Sequence, residues 1–230
     1  MTTGEPRTTS VKTESFSFDV GASTTCQSMP AYPSTIGYAT GAFVSSRVVI
    51  CGGYPPTPKC YTLAQHDTQW KLNGNLITPR WGAASVEINN KLVVFGGFNS
   101  GAYLDSTEEF DVVTGTATTG PSMPLAMRFH CAVKLNTTTV LIIGGMVEWN
   151  GSSRKRSTYF YNVDAKSFTP GPLLMEGRSE HACSILDTGA ERLVVVTGGR
   201  VDGNEESSWN LLDSTEVMDL KQPTIWKTGL

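Results

Sequence analysis

The sequence predicts an all-β chain built from repeated four-stranded antiparallel units, and three observations carry that prediction. Four short apolar runs each end in Gly-Gly: VVICGG at 48–53, LVVFGG at 92–97, VLIIGG at 140–145 and LVVVTGG at 193–199. The first glycines of these pairs lie 44, 48 and 54 residues apart, a period that belongs to repeat architectures. No amphipathic stretch long enough to be a crossover helix separates the β-branched runs, which excludes ferredoxin-like and doubly wound folds.

Each element can be justified in chain order. Residues 1–11 read as a disordered tail. KTESFSFDVGASTTCQSMP at 12–30 parallels STEEFDVVTGTATTGPSMP at 106–124 and therefore reads as the last two strands of a half unit. Four full units follow, at about 31–73, 74–119, 120–169 and 170–230. A segment of small and apolar residues opens the later three: RWGAASVEI, RFHCAVKL and RSEHACSIL, headed by Arg80, Arg128 and Arg178. The first unit has Ile36 at that position. The Gly-Gly run is the second strand, stopped by a tight turn. The third strand is read at CYTL (60–63), LDSTEEFD (104–111), STYFYNV (157–163) and LDSTEVMD (212–219). A fourth, outer strand carries Trp70, Phe168 or Trp226, and unit two has only TATT at 116–119. An isolated sheet of this kind leaves one apolar face wet. Radial stacking of such sheets buries those faces, which predicts the blades of a β-propeller.

These residues resemble the kelch repeat. The resemblance rests on Gly52-Gly53, Tyr61 and Trp70 in the first unit, and on Gly96-Gly97 and Phe110 in the second. It continues with Gly144-Gly145, Tyr161 and Phe168 in the third, then Gly198-Gly199 and Trp226 in the fourth, where Met218 replaces the tyrosine. It covers residues 12–230 and implies a kelch-type β-propeller of four blades plus an N-terminal half blade. Kelch propellers have six or seven blades, so an open fragment of such a ring is expected.

Composition narrows the function classes. The 230 residues are 39% hydrophobic with a net charge of −3 and interspersed signs, which argues against a nucleic-acid surface. No apolar run approaches the length that spans a bilayer, so membrane insertion is not expected. The N-terminus lacks an apolar signal-peptide core, which points to a cytoplasmic protein, or to an extracellular one if the N-terminus is truncated. Of five cysteines, Cys51 and Cys60 flank the loop YPPTPK and are candidates for a disulfide across a hairpin. Cys131 and Cys183 are expected to be free, small, buried residues, and Cys26 has no evident partner. Asn136 and Asn150 head N-glycosylation sequons that matter only in the secretory pathway.

No catalytic or metal-binding motif is present. His130 and His181 recur at inner-strand starts and read as structural, so no metal, cofactor or enzymatic activity is expected. A degenerate relative of the copper-radical kelch oxidases is the remote alternative. The variable loops at 54–59, 98–103, 146–156 and 200–210 are the binding candidates, with Trp149 and Trp209 as aromatic anchors. The resemblance to kelch adaptors further implies that Arg80, Arg128 and Arg178, joined by Arg154, Lys155 and Arg156, line a mouth that receives an acidic peptide. The expected function is a scaffold for a protein or peptide partner. The alternative is a secreted kelch protein with a Cys51–Cys60 disulfide that binds glycans or matrix proteins.

Overall fold

A computed structural model describes residues 29–148, 153–202 and 210–229, and these contain strands and turns but no helix. The tail over 1–11 and all of the half blade over 12–30 except its last two residues lie outside the described residues. Four antiparallel sheets of four strands succeed one another along the chain. Blade 1 holds β1 (Thr40–Val44), β2 (Arg47–Cys51), β3 (Lys59–Ala64) and β4 (Lys71–Asn75). Blade 2 begins with β5 (Ala84–Ile88) and β6 (Lys91–Phe95). A two-stranded ribbon, β7 (Phe98–Asn99) and β8 (Ala102–Tyr103), leads to β9 (Thr107–Asp111) and β10 (Thr116–Thr119). Blade 3 comprises β11 (Cys131–Lys134), β12 (Thr139–Ile143), β13 (Thr158–Asn162) and β14 (Ser167–Pro170). Blade 4 has β15 (Ala182–Asp187) and β16 (Arg192–Thr197), the ribbon β17 (Arg200–Val201) and β18 (Asn210–Leu211), then β19 (Thr215–Asp219) and β20 (Lys227–Thr228).

The Gly-Gly pairs are the seams between blades. All eight glycines have positive φ, from +57° to +70° at the first of each pair and from +98° to +118° at the second. The second glycine donates its N–H to a carbonyl of the following blade: Gly53 to Arg80, Gly97 to Met127 and Gly145 to Arg178, at 2.8–2.9 Å. A Cβ on Gly52, Gly96 or Gly144 would collide with that same carbonyl, so both the conformation and the close approach demand glycine.

Period-two alternation along the second strands builds the core. The residues one and three before the first glycine face the following blade, and those two and four before it face the preceding one. Val49 and Cys51 accordingly pack with Leu92, Val94 and Phe110. Val93 and Phe95 meet Val140, Ile142 and Tyr161. Leu141 and Ile143 meet Val194, Val196, Met218 and Trp226. Burying each such side chain contributes about 1.5–3 kcal/mol, so these three interfaces dominate stability. The innermost strands β1, β5, β11 and β15 pack in succession, an arc about the propeller axis.

Three readings of the repeat are corrected by register. The residues that follow the Gly-Gly pairs bridge Gly37, Trp81, Arg128 and Ser179, which are therefore equivalent positions. Met127, not Arg128, thus matches Arg80 and Arg178, because the β11–β12 hairpin is one residue longer than β5–β6. On β3, Tyr61 pairs with Ile50 and so matches Glu108, Tyr159 and Glu216, while Leu63 takes the position of Phe110, Tyr161 and Met218. Finally, Cys131 and Cys183 are bonded to each other rather than free. Cys131 pairs with Ile143 and faces blade 4, whereas Cys183 pairs with Val196 and faces blade 3. The two are one step out of repeat register and hence point at one another, with a Cα separation of 6.1 Å.

Candidate functional site

Two of the arginines expected at a binding mouth are internal clamps. Arg80 is 1% exposed and Arg178 0%. Arg80 donates to Glu108 at 2.5 Å and to the carbonyls of Gly96 and Ser106 at 2.7 and 3.0 Å. Arg178 repeats the pattern with Glu216 at 2.7 Å and the carbonyls of Gly198 and Ser214 at 2.9 and 3.2 Å. Each carboxylate also caps the linker that enters its blade: Glu108 accepts from Ile77 and Thr78, and Glu216 from Met175 and Glu176. Burial lowers the Arg80 pKa from the ordinary arginine value, and the Glu108 carboxylate opposes that shift. Removing one partner from such a pair leaves an uncompensated buried charge. These guanidiniums hold the blade together and are not presented to solvent.

Arg128 is also fully buried, but among rings. Its guanidinium carbon lies 4.3 Å from the Trp81 ring centroid, 4.7 Å from those of Phe98 and Phe129, and 5.3 Å from that of Tyr103. Burial lowers the Arg128 pKa from the ordinary arginine value, and the neighbouring Tyr103 opposes that shift. Tyr38 and Tyr54, 58% and 54% exposed, extend the cluster into solvent. Tyr54–Trp81, Trp81–Tyr38 and Tyr38–Phe129 centroid separations are 5.4, 5.6 and 5.2 Å, within the range of favourable edge and tilted contacts. The six rings come from the residues that flank the Gly-Gly seams and the inner-strand starts of blades 1 to 3. They form a continuous aromatic platform on the side where the second-to-third-strand loops emerge.

A shallow depression beside the platform, about 230 Å³, marks the axial end of this face. Tyr38, Gly82, Phe129 and Glu180 border it, with His130 and His181 beneath. The backbone links these borders blade to blade: Gly82 donates to Tyr38, Phe129 to Gly82 and Glu180 to Phe129, at 2.7–2.9 Å. Burial lowers the pKa of His130 to about 4 and of His181 to about 3, so both are neutral at pH 7. Among the described residues no group of three or more His, Cys, Asp or Glu side chains could hold a metal ion.

The other predicted site residues are scattered around this platform. Arg154 binds Asp202 at 2.8 Å, Arg200 pairs with Glu180 at 3.2 Å, and Arg156 donates to the Leu174 carbonyl. Lys155 joins the seam through its backbone N–H to Gly145. Trp149, Trp209 and Asn150 lie outside the described residues. Asn136 is exposed in the β11–β12 turn and accepts from the N–H and hydroxyl of Thr138 at 2.9 and 3.1 Å. Cys51 and Cys60, directly opposed across β2 and β3, are disulfide-bonded. Tyr38, Tyr54, Trp81, Phe98, Tyr103 and Phe129 were not singled out from sequence. Their one signal is position, since each sits within a few residues of a repeat landmark and outside the strand alternation.

Comparison with known proteins fits this architecture. Residues 79–124, from the Arg80 clamp through blade 2, match the Kelch motif. That stretch of the chain resembles a kelch motif. The solved structure of YjhT superposes on these blades with a TM-score of 0.73 and 15% identity, over 88% of this chain and 67% of that one. At that identity the likeness is one of fold. No curated protein matches this chain.

Proposed function

We propose that the chain is a protein-binding scaffold whose contact face is the aromatic platform and the loops around it. The six-ring cluster is the observation that carries this reading. Rigid aromatic side chains supply large contact area at low entropic cost and are enriched among interface anchors. Trp149 and Trp209 belong to the loops at 146–156 and 200–210 and remain candidate anchors. An acidic partner finds less support than an apolar one, because Arg80, Arg154 and Arg178 are paired with Glu108, Asp202 and Glu216.

The test is affinity capture on the wild-type chain beside Tyr38→Ala, Tyr54→Ala and, as a control, Val113→Ala in the exposed β9–β10 turn. Proteins held by wild type and the control should be lost from both tyrosine variants. An identical captured set from all four would place the contact face elsewhere.

A second reading, a protein matured in an oxidising compartment, is supported by the two disulfides. In that compartment the exposed Asn136 sequon would be available for glycosylation. Non-reducing peptide mapping of protein purified from its native source checks it: free thiols at all four cysteines would remove its basis.

A further inference from the structure

The four bonded cysteines differ in access to solvent. We infer that Cys131–Cys183 is a redox-operated clasp between blades 3 and 4, opened in the folded protein by a dithiol reductant while Cys51–Cys60 stays closed. Cys51 and Cys60 are each 0% exposed and belong to the apolar core between blades 1 and 2. Cys131 and Cys183 are only half-buried. They sit on β11 and β15, innermost strands of the arc about the propeller axis. Thiol–disulfide exchange requires a thiolate to reach a sulfur directly, so access decides which bond opens first. In the exchange, one thiolate of the dithiol attacks a sulfur of the bond, giving a mixed disulfide and releasing the other cysteine. The second dithiol sulfur then displaces the first and closes the reductant's own disulfide. Two electrons pass to the protein, and two protons leave Cys131 and Cys183 as thiols.

The bond takes a place that other links fill elsewhere in the arc. Between β1 and β5, the Thr40 hydroxyl donates to Ser85 at 2.6 Å and the Ser85 hydroxyl to the Gly41 carbonyl at 3.2 Å. Between β5 and β11, Lys134 donates to Glu87 at 2.6 Å. Between β11 and β15 the side-chain link is the disulfide. Of these links, only the disulfide responds to an electron donor. It also braces a backbone tie close by in sequence, because the Glu180 N–H, just ahead of Cys183, donates to the carbonyl of Phe129, just ahead of Cys131, at 2.9 Å. Opening the clasp removes that brace. The apolar contacts of Leu141 and Ile143 with Val194, Val196 and Met218 stay buried, so the opening is local and the blades remain stacked. Phe129 and Glu180 border the contact face proposed above. The clasp therefore adds regulation to that reading, while its lability is measurable with no partner present.

The experiment takes the oxidised full chain, blocks any free thiol, and titrates it with dithiothreitol under native conditions. Newly released thiols are alkylated and mapped by mass spectrometry. Cys131 and Cys183 should be labelled at reductant concentrations about tenfold or more below those that release Cys51 and Cys60. Hydrogen exchange on the same samples should show the Glu180 amide about tenfold or more faster after reduction, with the Gly53 and Gly97 amides at the other two seams unchanged. Cys131→Ser with Cys183→Ser should show the fast Glu180 exchange before any reductant is added. If that variant does not fold, selectively reduced wild type supplies the same comparison. Release of all four cysteines together, release only on denaturation, or free thiols at Cys131 and Cys183 in the oxidised chain would overturn the selective clasp. Selective release with unchanged Glu180 exchange would overturn its hold on the border of blade 4. Neither readout depends on the tyrosine variants, so the contact face stands or falls separately.

Discussion

His130 and His181 carry the clearest residue-scale consequence. The first two blades have Ala39 and Ala83 at the same repeat position, just after the positive-φ residues Tyr38 and Gly82. Blades 3 and 4 fill the space with an imidazole set against the preceding seam, close to Gly96 and Gly144. Burial holds their pKa values near 4 and 3, whereas in the unfolded chain both titrate near 6.5. The unfolded state therefore binds protons that the folded state refuses. The stability at stake is whole above about pH 6.5 and is lost as pH falls toward the folded values. Linkage sets the loss at about 2 kcal/mol per histidine by pH 5. Carboxylates held low by partners, Asp67 by Lys71 and Glu87 by Lys134, exchange protons below that window. Urea midpoints should fall steeply between pH 7 and 5, and His130→Ala with His181→Ala should flatten the slope. An unchanged slope in the double variant would mean the imidazoles are not the titrating groups.

The Arg–Glu clamps show what was legible at this scale and what was not. Arg80 and Arg178 were visible as recurrent, but recurrence alone does not separate a binding ring from an internal one. The distinguishing signal lay on the third strand. Where the entry residue is Arg80 or Arg178, the register partner column holds Glu108 or Glu216. Where it is Ile36 or Met127, that column holds Tyr61 or Tyr159. The paired change marks a buried ion pair alternating with an apolar one. It became readable only once the third-strand register was known, and a two-residue misalignment of Tyr61 had hidden it.

At the scale of elements, the strands were legible because each is short, β-branched and closed by a glycine seam. The faces they present depend on a single residue of register, and that is where the cysteines were misjudged. Cys131 and Cys183 look near-equivalent in RFHCAV and RSEHACS, yet the one-residue offset turns one forward and the other back. The resulting bond ties β11 to β15 across a blade interface, at a sequence separation of 52. Cys51–Cys60 has a separation of only 9, within one hairpin. Chain entropy in the unfolded state then predicts unequal contributions, about 4 kcal/mol for the inter-blade bond and about 3 kcal/mol for the hairpin bond. Paired serine variants at each site, compared by urea denaturation, should show the larger loss for Cys131→Ser with Cys183→Ser. Equal or reversed losses would mean that the interface, and not the unfolded chain, sets the cost.

At the scale of the whole arc, the same alternation that builds three interfaces leaves half of one on blade 1 and half on blade 4 among the described residues. The forward-facing row of blade 4, Leu193 and Val195 with Leu186, meets no following blade among the described residues. The backward-facing row of blade 1, Val48 and Ile50 with Phe43, meets no complete preceding one. Phe43 is 67% exposed and Leu186 49%, whereas Phe95, one of the apolar residues inside an interface, is fully buried. A cavity of about 490 Å³ opens on the blade 1 face between Met29, Phe43, Val48 and Leu63. The linker covers only part of that face: Trp70 donates to the Pro30 carbonyl at 3.1 Å, as Trp226 does to Pro172, and Tyr32 packs on Tyr61 and Trp70. Among the described residues these two rows are the complementary halves of the interface the chain already makes three times, an arrangement that would let copies of this 230-residue chain join head to tail. Sedimentation velocity on the 230-residue chain should show association that rises with concentration. Phe43→Asp or Val195→Asp, each confined to one end, should abolish it without lowering the urea midpoint. A chain monomeric at every concentration, with no uptake of a hydrophobic dye, would mean that residues outside the described set already cover both faces.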